Sequence, residues 1–303
     1  MQTAIITGAT GGLGLQCARS LLGRDPAWHV VLAVRDVARG AEAVRGLGRP
    51  DRCTVMELEL ASLASVERFL GAYRAAGLPP TGAVICNAGT QGVSGVRFTE
   101  DGFEATFATN HLGHFALVHG LLGDLAPAAR IVVVSSDTHD PARRTGMPAP
   151  RYTTADALAD PPAAERHDSA RAGRRRYTTS KLCNVLFAYE LHRRLAADPR
   201  GITVIAFNPG LMPGSGLARE YSKPQQLVWR HVLPALRFLP QVRSTAESGR
   251  DLAALAADPR FASAGGTYVD GRKPTASSVD SRDPAKALDL WETSVRLISV
   301  GGR

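Results

Sequence analysis

Short apolar runs alternate along this chain with longer segments in which apolar residues recur every three or four positions. The runs Ala4 to Ile6, Val30 to Val34, Cys53 to Leu58, Ala83 to Cys86, Arg130 to Ser135 and Thr203 to Phe207 have the length and composition of buried strands. The intervening segments predict helices up to Leu22, over Leu63 to Ala75, Gly102 to Leu122 and Tyr177 to Ala196. A further strand, Thr267 to Val269, lies in a Gly/Ser/Pro-rich stretch at 259–282 and precedes a final helix to Leu297. Strands alternating with helices of this length predict a parallel sheet covered on both faces. With 303 residues, 44% of them hydrophobic, and no internal repeat or linker, one α/β domain with a large core is the simplest account.

Two stretches break the pattern. From Asp137 to Arg176 the chain passes Pro141, Pro148, Pro150, Pro161 and Pro162 with clustered arginines and little periodicity, longer than ordinary connections. It starts and finishes next to candidate site residues, which predicts an insertion acting as a flap. Its run Arg174-Arg175-Arg176 reads either as an attractor for an acidic group or as a solvated charge cluster. The second stretch, 211–240, carries Leu217, Tyr221, Leu227, Trp229 and Phe238, interrupted by Pro224 and Pro234. Its apolar content fits the wall of a pocket for a bulky hydrophobic small molecule, and equally a core-packing or homodimer helix.

The chemistry gathers at strand ends. The first strand runs into Thr7-Gly8-Ala9-Thr10-Gly11-Gly12-Leu13-Gly14, where glycine permits a tight turn and close backbone approach, and the opening N–H groups of the helix suit a diphosphate. A tight turn without a ligand is the bland reading. The second strand ends at Val34 and is followed by Arg35-Asp36. An arginine there pairs with the 2′-phosphate of NADP(H), whereas Asp36 leaves room for the ribose diol of NAD. Asn87-Ala88-Gly89, Ser135-Ser136 and Asn208-Pro209-Gly210 follow later strands, on the side of such sheets where ligands bind. Tyr177 and Lys181 stand four residues apart and share one face of the predicted helix, so an ammonium lies beside a phenol. A cation there favours the ionised phenol, whose free pKa is ~10, and equips it to exchange protons with a substrate oxygen.

The ordered set Thr7-Gly8-x-x-x-Gly12-x-Gly14, Asn87-Ala88-Gly89, Asn110, Ser136 and Tyr177-x-x-x-Lys181 resembles the short-chain dehydrogenase/reductase superfamily, over nearly the whole chain. The resemblance implies a Rossmann-type doubly wound sheet and an NADP(H)-dependent enzyme acting on a carbonyl or alcohol. Thr109 to Phe115 and Ser180 to Asn184 look like the branch of retinol dehydrogenases, the WW-domain-containing oxidoreductase and light-dependent protochlorophyllide reductase. Glu190 to Arg194 and Lys286 to Glu292 are most similar to the last. It implies that Tyr177 donates or accepts the proton and that Lys181 lowers the Tyr177 pKa and holds the nicotinamide ribose. Ser136 would bind the substrate oxygen and Asn110 would hold a water leading to solvent. Gly8, Thr10, Gly12, Leu13, Gly14, Arg35, Asn87, Ala88, Gly89, Pro209 and Gly210 would line the cofactor, with Ser215 near the nicotinamide amide. Ser136 and Asn110 each have a local structural reading too, as residues satisfying nearby backbone. The protochlorophyllide reductases carry a cysteine after this Pro-Gly, threonine at the Ser136 position and Asn-Ala-Ala where this chain has Asn87-Ala88-Gly89. Leu211 follows Gly210 here and carries no proton, which moves the expected chemistry toward ordinary carbonyl and alcohol oxidoreduction.

Charge and cysteine content narrow the rest. The net charge of +8 is dispersed among interleaved acidic residues without an aromatic-basic stripe, which argues against nucleic acid. Cys17, Cys53, Cys86 and Cys183 lack metal-ligand spacing and predict a reduced, cytoplasmic protein without a metal. No apolar run is long enough to predict an integral membrane segment, and the chain enters its first strand at once, predicting no signal peptide.

Overall fold

A computed structural model describes residues 1–24, 27–92, 95–167, 169–212 and 242–300. Its first half alternates β1 (Gln2–Thr7), α1 (Gly12–Leu22), β2 (Trp28–Val34), α2 (Val37–Leu47), β3 (Cys53–Glu57), α3 (Leu63–Ala75) and β4 (Thr81–Cys86). A helical rod follows: α4 (Ala105–Phe107), a π turn (Ala108–Leu112) and α5 (Gly113–Leu121). Next come β5 (Leu125–Val134), α6 (Ala155–Ala159), α7 (Ala170–Arg194), β6 (Thr203–Asn208), α8 (Thr245–Ala257), β7 (Thr267–Asp270), β8 (Lys273–Thr275) and α9 (Pro284–Val300).

The described strands form one sheet in the order β3-β2-β1-β4-β5-β6-β7-β8, parallel throughout except for the β7–β8 pair. Every residue of β2, β4 and β6 is buried, as a sheet covered on both faces requires. Side chains alternate between two cores with the two-residue period of a strand. Ile5, Val31, Val84, Ile131 and Val204 face the layer of α3, α5, α7 and α9, while Ile6, Leu32, Ile85, Val132 and Ile205 face α1 and α8. α1 and α8 approach closely because a Cβ on Gly249 would lie 2.4 Å from that of Gln16. Strand order reverses between β1 and β4, the crevice where such sheets hold ligands.

The expected fold is therefore present, with corrections at the edges of elements. The helix carrying Tyr177 begins at Ala170, where the Ser169 side chain accepts a hydrogen bond from the Ala172 N–H. Arg174 to Arg176 thus belong to α7, and the insertion is 137–169 rather than 137–176. It is not a free flap along its second part. Tyr152 Oη and the Ala155 N–H both donate to Asp289 Oδ2 of α9, at 2.7 and 2.8 Å, and Arg151 N–H donates to Thr179 Oγ1 of α7 at 2.9 Å. The helix expected over Gly102 to Leu122 starts later, because Gly102 takes a positive φ of 82°, and it is interrupted by the π turn. α2, α8 and β8 were not expected at all.

Trp291 of α9 packs edge-on against Phe115, with ring centroids 5.0 Å apart, and the Arg194 guanidinium lies 4.4 Å from its centroid. Arg194 also pairs with the buried Glu190, so the two segments that look most like the protochlorophyllide reductases pack on each other. The cysteines are free, with Cys17, Cys86 and Cys183 buried. No described helix is long and apolar enough to cross a membrane, and no described group of His, Cys, Asp and Glu could hold a metal ion.

Candidate functional site

The turn after β1 is built around the Thr7 hydroxyl. It accepts the N–H groups of Asn87 and Ala88, both at 2.9 Å, which fixes the end of β4 beside that of β1. His114 lies 2.9 Å from the same oxygen through Nε2, and its Nδ1 lies 3.2 Å from the Asn110 carbonyl oxygen. A proton on Nδ1, donated to that carbonyl, leaves Nε2 to accept from Thr7. Burial pushes the His114 pKa down to about 4, so the ring is neutral near pH ~7 and this pattern holds. Asn87 Nδ2 donates to the Thr7 carbonyl at 2.7 Å and leaves no room for a side chain at residue 14, since a Cβ on Gly14 would sit 2.6 Å from it. Gly8 has φ +68° with its Cβ position 3.0 Å from Ala88 Cα.

Gly11 and Gly12 differ from these, because no atom lies within 4 Å of a Cβ built on either. Among the described residues no side chain caps α1, so its first N–H groups, including that of Leu13, open onto this space while the Leu13 side chain enters the core. Thr10 is part-buried in the same turn. The cradle fits the diphosphate of a dinucleotide. Just after β2, Arg35 is largely exposed and, among the described residues, holds only a 3.5 Å ion pair with Glu59. Asp36 is committed elsewhere, its carboxylate capping α2 through the Arg39 N–H at 3.0 Å.

The other end of the site is set by α7. Tyr177 and Lys181 are both buried, with the ammonium 5.6 Å from the phenol ring centroid. Lys181 Nζ donates to the Val134 carbonyl at 3.1 Å, and Ser135 Oγ donates to the Lys181 carbonyl at 2.7 Å, so the lysine is tied at both ends to the end of β5. Desolvation lowers its pKa from 10.5 to about 8. Gly89 lies opposite, where a Cβ would meet Lys181 Nζ at 3.6 Å and Asn110 Oδ1 at 3.4 Å.

Asn110 stands in the π turn, where the Gly113 N–H reaches back to the Ala108 carbonyl. Its side chain accepts from the Thr90 N–H at 2.7 Å and donates to the Thr90 carbonyl and to Ser180 Oγ, both at 2.9 Å. Ser136 is the second residue after β5. Its hydroxyl donates to Asp137 Oδ1 at 3.1 Å and accepts from the Thr138 N–H at 3.3 Å, the local engagement its bland reading describes. At the end of β6, Asn208 Oδ1 accepts from the Gly210 N–H at 3.1 Å and the Asp137 N–H at 3.3 Å, and Gly210 takes φ +78°. The Pro209 carbonyl accepts from Ser248 Oγ at 2.7 Å.

Gly89, Asn110, Tyr177 and Lys181 are thus brought together, and the Gly8 to Gly14 turn, Asn87 and Ala88 form the adjoining cradle. Ser215 and the apolar residues from Leu217 to Phe238 lie outside the described residues. The described residues Leu211 and Val242 pair with each other, and the Leu211 carbonyl accepts from the Arg243 N–H at 2.9 Å. Sequence reasoning assigned no role to His114, Ser135, Ser180 or Asp137. Each is polar and next to a motif residue, the one signal available.

The short chain dehydrogenase family model matches residues 2–152, and that of the AcuH dehydrogenase domain matches 218–301. The chain is 35% identical to protochlorophyllide reductase A of Oryza sativa subsp. japonica, over 98% of this chain and 80% of that protein. It is also 35% identical to protochlorophyllide reductase of Avena sativa, over 98% and 99%. Among solved structures, an uncharacterized protein from Mycobacterium paratuberculosis superposes with a TM-score of 0.72 at 31% identity, covering 99% of this chain and 94% of that one. An NADPH-bound carbonyl reductase from chicken fatty liver shares the fold, with a TM-score of 0.63 at 16% identity over 91% and 99%. The chain belongs to the short-chain dehydrogenase/reductase superfamily, an oxidoreductase of the branch that includes the protochlorophyllide reductases.

Proposed function

We propose that the protein is an NADP(H)-dependent oxidoreductase that transfers hydride between the nicotinamide and the carbon of a carbonyl or alcohol on a bulky hydrophobic substrate. The observation that carries this reading is the buried Tyr177–Lys181 pair facing Gly89 and Asn110. The cofactor is NADP(H). Arg35, exposed and held only by a long ion pair to Glu59 among the described residues, would meet a 2′-phosphate, while Asp36 is engaged as a helix cap. Gly11, Gly12 and the uncapped start of α1 would hold the diphosphate, and Lys181 the nicotinamide ribose.

When bound, NADPH supplies the hydride. Tyr177 gives its phenolic proton to the substrate oxygen as the carbonyl becomes an alcohol, and the Lys181 ammonium compensates the charge left on the phenol oxygen. Ser136 exchanges its bond to Asp137 for one to the substrate oxygen. Burial of Tyr177 and Lys181 keeps bulk water from competing for that proton. The 211–240 segment would supply the apolar wall, on its content of Leu217, Tyr221, Leu227, Trp229 and Phe238 and because the described residues Leu211 and Val242 pair just beyond β6. Free cysteines, three of them buried, are compatible with the reducing cytoplasm.

Tyr177→Phe tests this directly: NADPH affinity should be retained and turnover reduced ~100-fold or more. Unchanged turnover would remove Tyr177 from the mechanism. A substrate screen of hydrophobic ketones, aldehydes and alcohols, followed by nicotinamide absorbance with NADPH and NADH, identifies the substrate class. Identity to the protochlorophyllide reductases favours a second reading, reduction of a carbon–carbon double bond in a tetrapyrrole. Leu211, a hydrocarbon side chain just after Pro209-Gly210, is the residue against it. Illuminated turnover of protochlorophyllide in the same screen would establish that alternative.

A further inference from the structure

A cavity lies on the face of α7 turned away from Tyr177 and Lys181. Arg175 and Thr179, each two residues from Tyr177, project about 200° around the helix from it, and both line this cavity with Ala172 and Arg176. The opposite wall is the insertion, through Arg151, Leu158, Pro161 and Glu165, and Phe107, Glu104 and Ser180 close the floor. Its interior is about 90 Å³, several times the ~10–15 Å³ that a single water requires and room for a short ligand. Its walls are held in place from both sides, by the Arg151–Thr179 bond to α7 and the Ala155–Asp289 bond to α9.

The charges lining it are not all matched. Arg176 Nε lies 3.5 Å from Glu104 Oε1, and Arg151 Nη2 lies 3.4 Å from Glu165 Oε1. The Arg175 side chain has no ion pair or hydrogen bond among the described residues, although it is only part-exposed. That leaves one unmatched cation above apolar surface from Phe107, Leu158, Pro161 and Ala172. We propose that this cavity binds a monoanionic carboxylate with an apolar tail, its head on Arg175 and its tail against Phe107 and Leu158. Glu104 and Glu165 already supply negative charge, which disfavours a polyanion such as a phosphate ester. Ser180 connects the site to the reaction centre, since it accepts from Asn110 Nδ2 at 2.9 Å and donates to the Tyr177 carbonyl at 2.7 Å. The inference does not rest on the reaction proposed above, because its readout is binding.

The test is calorimetric titration of the full chain, saturated with NADPH, with hexanoate. One saturable site is expected, weakened at least ~10-fold by Arg175→Gln and by Ala172→Trp and unchanged by Tyr177→Phe. No saturation by roughly 10 mM hexanoate would overturn the proposal. So would weakening by Tyr177→Phe with Arg175→Gln unaffected, which would put the acid in the active site. Tighter binding of inorganic phosphate than of hexanoate would overturn the carboxylate assignment.

Discussion

Lys181→Met should stabilise the cofactor-free protein while abolishing most of its turnover. The Lys181 ammonium is buried, and among the described residues no carboxylate pairs with it. Lowering its pKa from 10.5 to about 8 corresponds to about 3 kcal/mol against the folded state wherever the lysine is charged, at ~1.4 kcal/mol per unit. Methionine fills similar space without that cost. The Val134 carbonyl keeps its bond from Asn184 Nδ2 at 3.0 Å, so no acceptor is stranded. Losing the bond that even a neutral amine makes offsets about 1 kcal/mol, leaving a net gain of about 2 kcal/mol. The unfolded lysine keeps its proton up to about pH 10.5 and the folded one releases it near 8. Between those values the unfolded chain binds the extra proton, so wild-type stability rises with pH through that window and the advantage of the variant shrinks. Urea unfolding of both proteins at about pH 7 and about pH 10, without NADPH, measures the difference. A variant less stable than wild type at the lower pH, or an advantage equal at both, would refute this reasoning.

Arg35→Ala should raise the KM for NADPH about 10- to 100-fold, the worth of a charge-assisted hydrogen bond, and leave that for NADH nearly unchanged. Steady-state kinetics with both nucleotides measures the ratio. Acid should unfold the protein early, because burial holds His111 at about 3 and His114 at about 4, both below the ordinary 6.5. The unfolded state takes up these protons first as pH falls below 6.5, so each histidine removes roughly 3 kcal/mol by about pH 4. His111→Gln, which can still meet Ser294, should recover about half of that loss in urea midpoints. Gly14→Ala should disrupt the β1–α1 turn, since the added methyl meets Asn87 Nδ2 at 2.6 Å and the Gly8 carbonyl oxygen at 2.9 Å. A large fall in thermal stability together with weaker NADPH binding is expected, and a variant indistinguishable from wild type would contradict the packing described.

The sheet was legible because its strands are buried on both faces and read as unbroken apolar runs, and α3 because its apolar spacing coincides with its ends. The start of α7 was not. Residues 170–176 are rich in arginine and present their polar groups to Glu104 and a cavity, so the apolar stripe that marks a helix is missing there. Only Ser169, a cap without a recognisable helix behind it, was available as a signal. The pairing of Tyr177 with Lys181 followed from helical spacing alone. That Asp36 caps α2, and that Asp289 tethers the insertion from more than a hundred residues away, depends on tertiary contacts that no local pattern encodes.

The wide turn at Ala108–Leu112 behaves as one surplus residue lodged inside a helical rod. Excising one residue from it would let the rod close into regular spacing, and because the turn already absorbs that residue, Glu104 and Phe107 on one side and His114 and Phe115 on the other would keep their facing. What such a deletion would change is the placing of Asn110 against Thr90 and Ser180. A single-codon deletion there should therefore spare the fold more than the site.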